Sequence, residues 1–79
     1  MTREMIQEKV LAMVAEQLGE SAIDPSADLQ KNYAIDSIGV MDFIMNAEEE
    51  FSIQFEDSDL EQLKSVNDVV DRIMELRNA

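Results

Sequence analysis

Apolar residues recur at helical spacing in three separate stretches of this chain. Ile6, Val10, Met13, Val14 and Leu18 stand three and four residues apart, with Arg3, Glu4, Glu8, Lys9 and Glu16 between them. That period predicts an amphipathic helix over Thr2 to Leu18. Thr2 suits its N-cap, and Gly19 follows the last apolar position, as a C-terminal cap should. Ile38, Met41, Ile44, Met45 and Phe51 form a second stripe, widened by Val40, Phe43 and Ala47. It predicts a helix from Ser37 to Phe51, with Asp42, Asn46 and Glu49 on the wet face and Gly39 beside them. A helix apolar on several sides touches more than one neighbour or exposes hydrophobic surface to a partner. Val66, Val69, Val70, Ile73 and Leu76 make the third stripe. Ser65 and Asp68 open that last helix as a weak capping box, and Arg72 and Arg77 lie toward its C-terminus, where cations are favoured.

The segments between the stripes are read from turn chemistry. Glu20 to Ile35 is a loop, with a turn at Asp24-Pro25-Ser26. It is too long to be structureless in a compact domain. Ile23, Leu29, Tyr33 and Ile35 are therefore expected to pin it to the core, with a short helical turn over Ala27 to Lys31. Phe51-Ser52-Ile53-Gln54-Phe55 alternates as a strand does, but the chain offers no second strand to pair with it. An extended connector that inserts Ile53 or Phe55 into the core fits better. Ser58-Asp59-Leu60-Glu61 has the capping-box pattern and predicts a short helix through Leu63. The expected fold is all-α, a four-helix bundle of three long helices and one short third helix. It has a long first loop, and residues 1–79 form a single domain.

Composition narrows the chemistry. A domain of 79 residues buries only about 60% of its unfolded surface, so its stability is expected to be modest. The chain has neither cysteine nor histidine. That removes disulfides, the commonest zinc ligands and the commonest general base, and argues against a self-contained hydrolase or metalloenzyme. It has no apolar run long enough to span a membrane and no signal-peptide pattern, so the expected location is cytoplasmic. Eighteen acidic against six basic residues leave a net charge of −12, which repels nucleic acid and selects partners with basic patches. No basic residue lies between Lys31 and Lys64, while Asp36, Asp42, Glu48, Glu49, Glu50, Glu56, Asp57, Asp59 and Glu61 all do. Such clustering aids solubility, and it also makes a docking surface around Ser37. Asp57 to Glu61 faintly echoes a calcium loop, but Gln62 stands where that loop needs glycine and Asp68 where it needs glutamate, so no dedicated metal site is expected.

Ser37 sits where the loop gives way to the second helix. Its hydroxyl can cap that helix, or it can carry a phosphodiester, because a helix N-terminus offers free N–H groups and the positive end of the dipole to an anion. Gly39 in the first turn costs about 1 kcal/mol relative to alanine, which a close approach to the backbone would justify.

Asp36-Ser37-Ile38 resembles the Asp-Ser-Leu motif of the acyl carrier protein family. Leu18-Gly19, the acidic run Glu48-Glu49-Glu50-Phe51 and Ser65-Val66 resemble the family's helix ends, so the likeness spans nearly the whole chain. The resemblance implies a 4′-phosphopantetheine arm on Ser37, whose thiol holds an acyl group as a thioester. It implies docking through Asp36, Ile38, Asp42, Met45, Glu48 and Glu49, with Phe43, Ile44, Phe55, Leu60 and Leu63 as candidates to line an acyl pocket. Phe43 and Phe55 are read first as core fillers. Met41 and Met45 are read mostly as core, with Met45 the better candidate for partner contact. The implied partners are a phosphopantetheinyl transferase and the acyl-loading and synthase enzymes of fatty-acid or polyketide-type synthesis, with a monomeric carrier that catalyses nothing itself. Gly39 stands where fatty-acid carriers usually have an acid, Ala34-Ile35 replaces the usual Gly-Ala, and Glu56 replaces a common proline. An aminoacyl or peptidyl carrier of a specialised pathway is therefore one alternative. An acidic helical adaptor that is never modified is another, of a different class.

Overall fold

The computed structural model describes residues 2–78. Helix α1 runs over Arg3–Leu18, the single-turn helix α2 over Leu29–Asn32, α3 over Ser37–Phe51, and α4 over Val66–Asn78, with a 3-10 helix over Asp57–Glu61 between the last two. The chain is thus all-α, with no strand among the described residues. Thr2 caps α1 by accepting a hydrogen bond from the Met5 N–H (3.2 Å). Gly19 ends it in the left-handed region, with φ 70°, which glycine enters without a Cβ penalty. Ser52 ends α3 in the same region, with φ 54°.

One core joins the elements. Ile6, Val10 and Val14 from α1, Phe43, Ile44, Ala47 and Phe51 from α3, and Val66, Val69, Val70 and Ile73 from α4 are buried together with Leu29, Ile35, Phe55 and Leu63. Met13, Leu18 and Leu76 pack only partly against that core. Helix α1 lies against both α4 and α3. Polar links edge these contacts. Arg3 pairs with Asp71 (3.0 Å), Lys9 with Glu50 (3.0 Å), and Gln7 donates to Asn67 Oδ1 (2.9 Å).

The loop from 20 to 36 is fastened rather than loose. The Leu29 N–H donates to Lys64 C=O (2.8 Å), and the Asn67 N–H to Pro25 C=O (2.9 Å), which ties the loop to the start of α4. The Tyr33 hydroxyl accepts from the Asp24 N–H (2.8 Å), and Asp24 Oδ1 closes the turn on Ser26. Leu29 and Ile35 are buried and Ile23 and Tyr33 partly so, as the spacing predicts. The helical turn starts at Leu29 rather than Ala27, because Asp28 caps it by accepting from the Gln30 and Lys31 N–H groups.

Three expectations are corrected. The short third element is 3-10, and it begins at Asp57 instead of behind a Ser58 cap. Glu56 occupies the cap position, and its N–H donates to Asp59 Oδ2 (2.8 Å). The element ends at Glu61, short of the predicted Leu63. The apolar stripe of α3 faces inward only in part, through Ile44 and Phe51. Ile38, Met41 and Met45 are 70%, 52% and 61% exposed, while Phe43, Ile44, Ala47 and Phe51 point inward. The reading of Met41 and Met45 as core therefore fails, since residues 43, 44 and 47 claim the side that faces the bundle. Phe55 fills the core, and the segment 53–56 is the expected connector without strand structure.

Candidate functional site around Ser37

Ser37 is the first residue of α3, and the cap is the residue before it. Asp36 is extended (φ −90°, ψ 179°), and its Oδ1 accepts from the Gly39 N–H at 2.8 Å. Its C=O takes the Val40 N–H (3.0 Å), the first bond of the helix. The sequence leaves the serine free to be the cap; Asp36 holds that role instead. The Ser37 side chain is exposed, and its Oγ has no hydrogen-bond partner among the described residues. The N–H groups of Ser37 and Ile38 likewise have no acceptor there, because they precede the first intrahelical bond. An exposed hydroxyl beside two free N–H groups at the positive end of a helix fits a phosphodiester well.

The other predicted residues fall into three groups. Asp36, Ile38, Asp42, Met45 and Glu49 are exposed on α3 or its cap. Glu48 is half-buried, and one of its oxygens accepts from the Phe55 N–H (2.8 Å), so it holds the connector against α3. The pocket candidates divide between two clefts. Ile44, Phe55 and Leu60 line one of about 220 Å³, beside Met41, Met45 and Glu48. Leu60 and Leu63 line another of about 340 Å³, with Val40, Lys31 and Lys64. Phe43 is 1% exposed and belongs to neither. A further cleft of about 750 Å³ lies between α1 and α3, with Met13, Glu16, Asp42, Met45 and Glu49 in its wall; Ser37 is not part of it.

Sequence reasoning missed an ion pair that shapes this region. Arg72 Nε on α4 stands 3.0 Å from Asp59 Oδ1, and its Nη1 is 2.9 Å from Glu75 Oε2. The Nε–H is not aligned for a hydrogen bond, so the contact with Asp59 is a close ion pair. Burial pushes the Asp59 carboxyl up, but the Glu56 N–H and the Arg72 guanidinium outweigh it and hold the group below the usual carboxylate range. The signal for this pair was Arg72 itself, expected toward the C-terminus of the last helix but standing at the middle of α4, outside its last turn. Arg77 also acts across the fold, donating to Phe51 C=O at the end of α3 (3.1 Å).

A family model for the phosphopantetheine attachment site matches residues 8–73. The chain is 36% identical over 74 residues to an acyl carrier protein of Thermotoga maritima, covering 91% of each. It is 36% identical over 77 residues to one from Cyanidioschyzon merolae, covering 95% of this chain and 85% of that one. Among solved structures, an acyl carrier protein from Enterococcus faecalis superposes with a TM-score of 0.82 at 28% identity, over 96% of this chain and 99% of its own.

Proposed function

The chain belongs to the acyl carrier protein family, and on that premise we propose that Ser37 bears its prosthetic arm and that acyl intermediates travel on it between enzymes of fatty-acid or polyketide-type synthesis. Proteins of this family are carriers rather than enzymes, and their phosphopantetheine-binding domain holds 4′-phosphopantetheine covalently. The terminal thiol of that group supplies the thioester on which the acyl chain is held. The observation that carries the assignment to Ser37 is its hydroxyl, exposed and unbonded at a helix start that Asp36 already caps.

Each residue has a part that its surroundings support. The Ser37 hydroxyl would attack the pantetheine-side phosphorus of coenzyme A, forming a phosphodiester as the pyrophosphate P–O bond breaks, with adenosine 3′,5′-bisphosphate leaving and the hydroxyl proton passing to a base. Asp36 is turned onto the Gly39 N–H, and the chain has no histidine, so a partner transferase must supply both base and metal. Asp36, Asp42 and Glu49 offer charge to a basic patch, with Ile38 and Met45 as the apolar contacts between them. Docking through exposed charges is fast, salt-sensitive and readily reversed. A flexible tether then keeps the cargo at high effective concentration near each docked enzyme. The clefts at Ile44, Phe55 and Leu60 and at Leu60 and Leu63 are where a short acyl chain would shelter.

Intact mass spectrometry tests the assignment. The protein is incubated with coenzyme A, magnesium and a broad-specificity phosphopantetheinyl transferase, with Ser37→Ala alongside. The expected outcome is the gain of one phosphopantetheine in the parent and none in the variant. An unchanged parent mass with several transferases would return the unmodified adaptor to the front.

A further inference from the structure

The backbone of Gly39 is held at both of its polar groups. Its N–H donates to Asp36 Oδ1 at 2.8 Å, and its C=O accepts from Gln17 Nε2 of α1 at 2.6 Å. A Cβ at this position would lie 2.8 Å from Ile35 Cγ1, 3.2 Å from Gln17 Nε2 and 3.4 Å from Asp36 Oδ1. The Gln17 contact could yield, since it is the far end of a flexible side chain on an exposed residue. Ile35 cannot yield so easily, being 7% exposed and part of the core. Gly39 is not in the left-handed region, so it is required for space rather than for backbone freedom. Alanine in place of glycine normally strengthens a helix. Here the same change drives a methyl group into a buried isoleucine, and the usual sign reverses. Ile35 and Gly39 flank Ser37 at two residues on either side.

We infer that Ile35, Gly39 and Gln17 form a positioning unit for Ser37. The missing side chain at 39 lets Ile35 pack against the first turn of α3 and lets Gln17 fasten that turn to the end of α1. The direction in which Ser37 presents its hydroxyl is then set by contacts made on both sides of it and by the end of α1. Positions 35 and 39 are one coupled choice: an isoleucine at 35 requires glycine at 39, and a larger residue at 39 requires a smaller one at 35. The role rests on the reading of Ser37 as the attachment site, and the test separates the two.

The experiment measures kcat and KM for carrier modification by the transferase, with coenzyme A saturating. Parent, Gly39→Ala, Ile35→Ala, the Ile35→Ala/Gly39→Ala double variant and Gln17→Ala are compared, each with its melting curve. Misplacing a reacting group by about 1 Å can cost about 100-fold, so Gly39→Ala is expected to lower kcat by about tenfold or more, with KM within about twofold. The double variant is expected to recover to within about threefold of the parent, because the removed Ile35 side chain makes room for the new methyl group. Gln17→Ala, which creates no clash, is expected to lower kcat while leaving the melting curve nearly unchanged. The proposal is overturned if Gly39→Ala keeps the parent kcat, if its loss lies in KM alone, or if the double variant is no faster than Gly39→Ala. A parent that is never modified sinks the attachment-site reading and this role together. A modified parent with indifferent variants sinks only this one.

Discussion

Asp36 and Ser37 divide two jobs that either residue type can perform. Aspartate and serine are both good N-caps, so the sequence marks the helix start within one residue without saying which of the two is bonded to the first turn. The bond from the Gly39 N–H to Asp36 decides it. Asp36→Ala is expected to cost about 1 kcal/mol, a fall of about 4–8 °C in melting temperature for a domain of this size. Ser37→Ala is expected to stay within about 0.5 kcal/mol of the parent. Thermal melts of the two variants check this, and the opposite ranking would move the cap back to Ser37. Ser37→Ala is therefore the cleaner probe of function, since it deletes a hydroxyl without loosening the helix.

At the scale of elements, charge helps to hold the 3-10 helix, through the pairing of Asp59 with Arg72. Asp59 has its pKa lowered in the fold, so its stabilising contribution is complete above the ordinary unfolded value of about 3.9. That contribution is lost as pH falls through the lower folded value. Asp59→Asn should thus melt below the parent at neutral pH, with the gap closing in strong acid; melting curves from pH 7 downward would show it. A gap that holds constant with pH would mean that the carboxylate charge is not what fastens the element to Arg72. Neither this pairing nor the Glu56 cap was legible beforehand. Ser58 to Glu61 and Glu56 to Asp59 have the same three-residue offset, so spacing does not choose between them; in the fold Asp59 bonds the Glu56 N–H and pairs with Arg72. The long helices were legible because their periods are strong: α1 and α4 bury the residues the spacing selects, except that Met13, Leu18 and Leu76 sit at the margin. Helix α3 was legible in extent but not in facing. It is apolar on several sides, and spacing cannot tell an inward phenylalanine from an outward methionine.

For the molecule as a whole, the net charge of −12 sets the conditions under which the fold is firm. Arg3, Lys9 and Arg72 pair with Asp71, Glu50, Asp59 and Glu75. Most of the eighteen acids thus have no ion-pair partner among the described residues, and their mutual repulsion opposes compaction. Added potassium chloride, and magnesium chloride at much lower concentration, are expected to raise the melting temperature by screening that repulsion. Melting curves indifferent to both salts would show that the carboxylates are too far apart to matter. Tyr33, fastened to the Asp24 N–H in the loop that leads into Ser37, is the chain's only tyrosine, and there is no tryptophan. Tyrosine emission from the protein therefore comes from one known place. The protein carries a built-in optical reporter on the segment just ahead of Ser37, readable without a label when excitation lies beyond the absorption of its three phenylalanines.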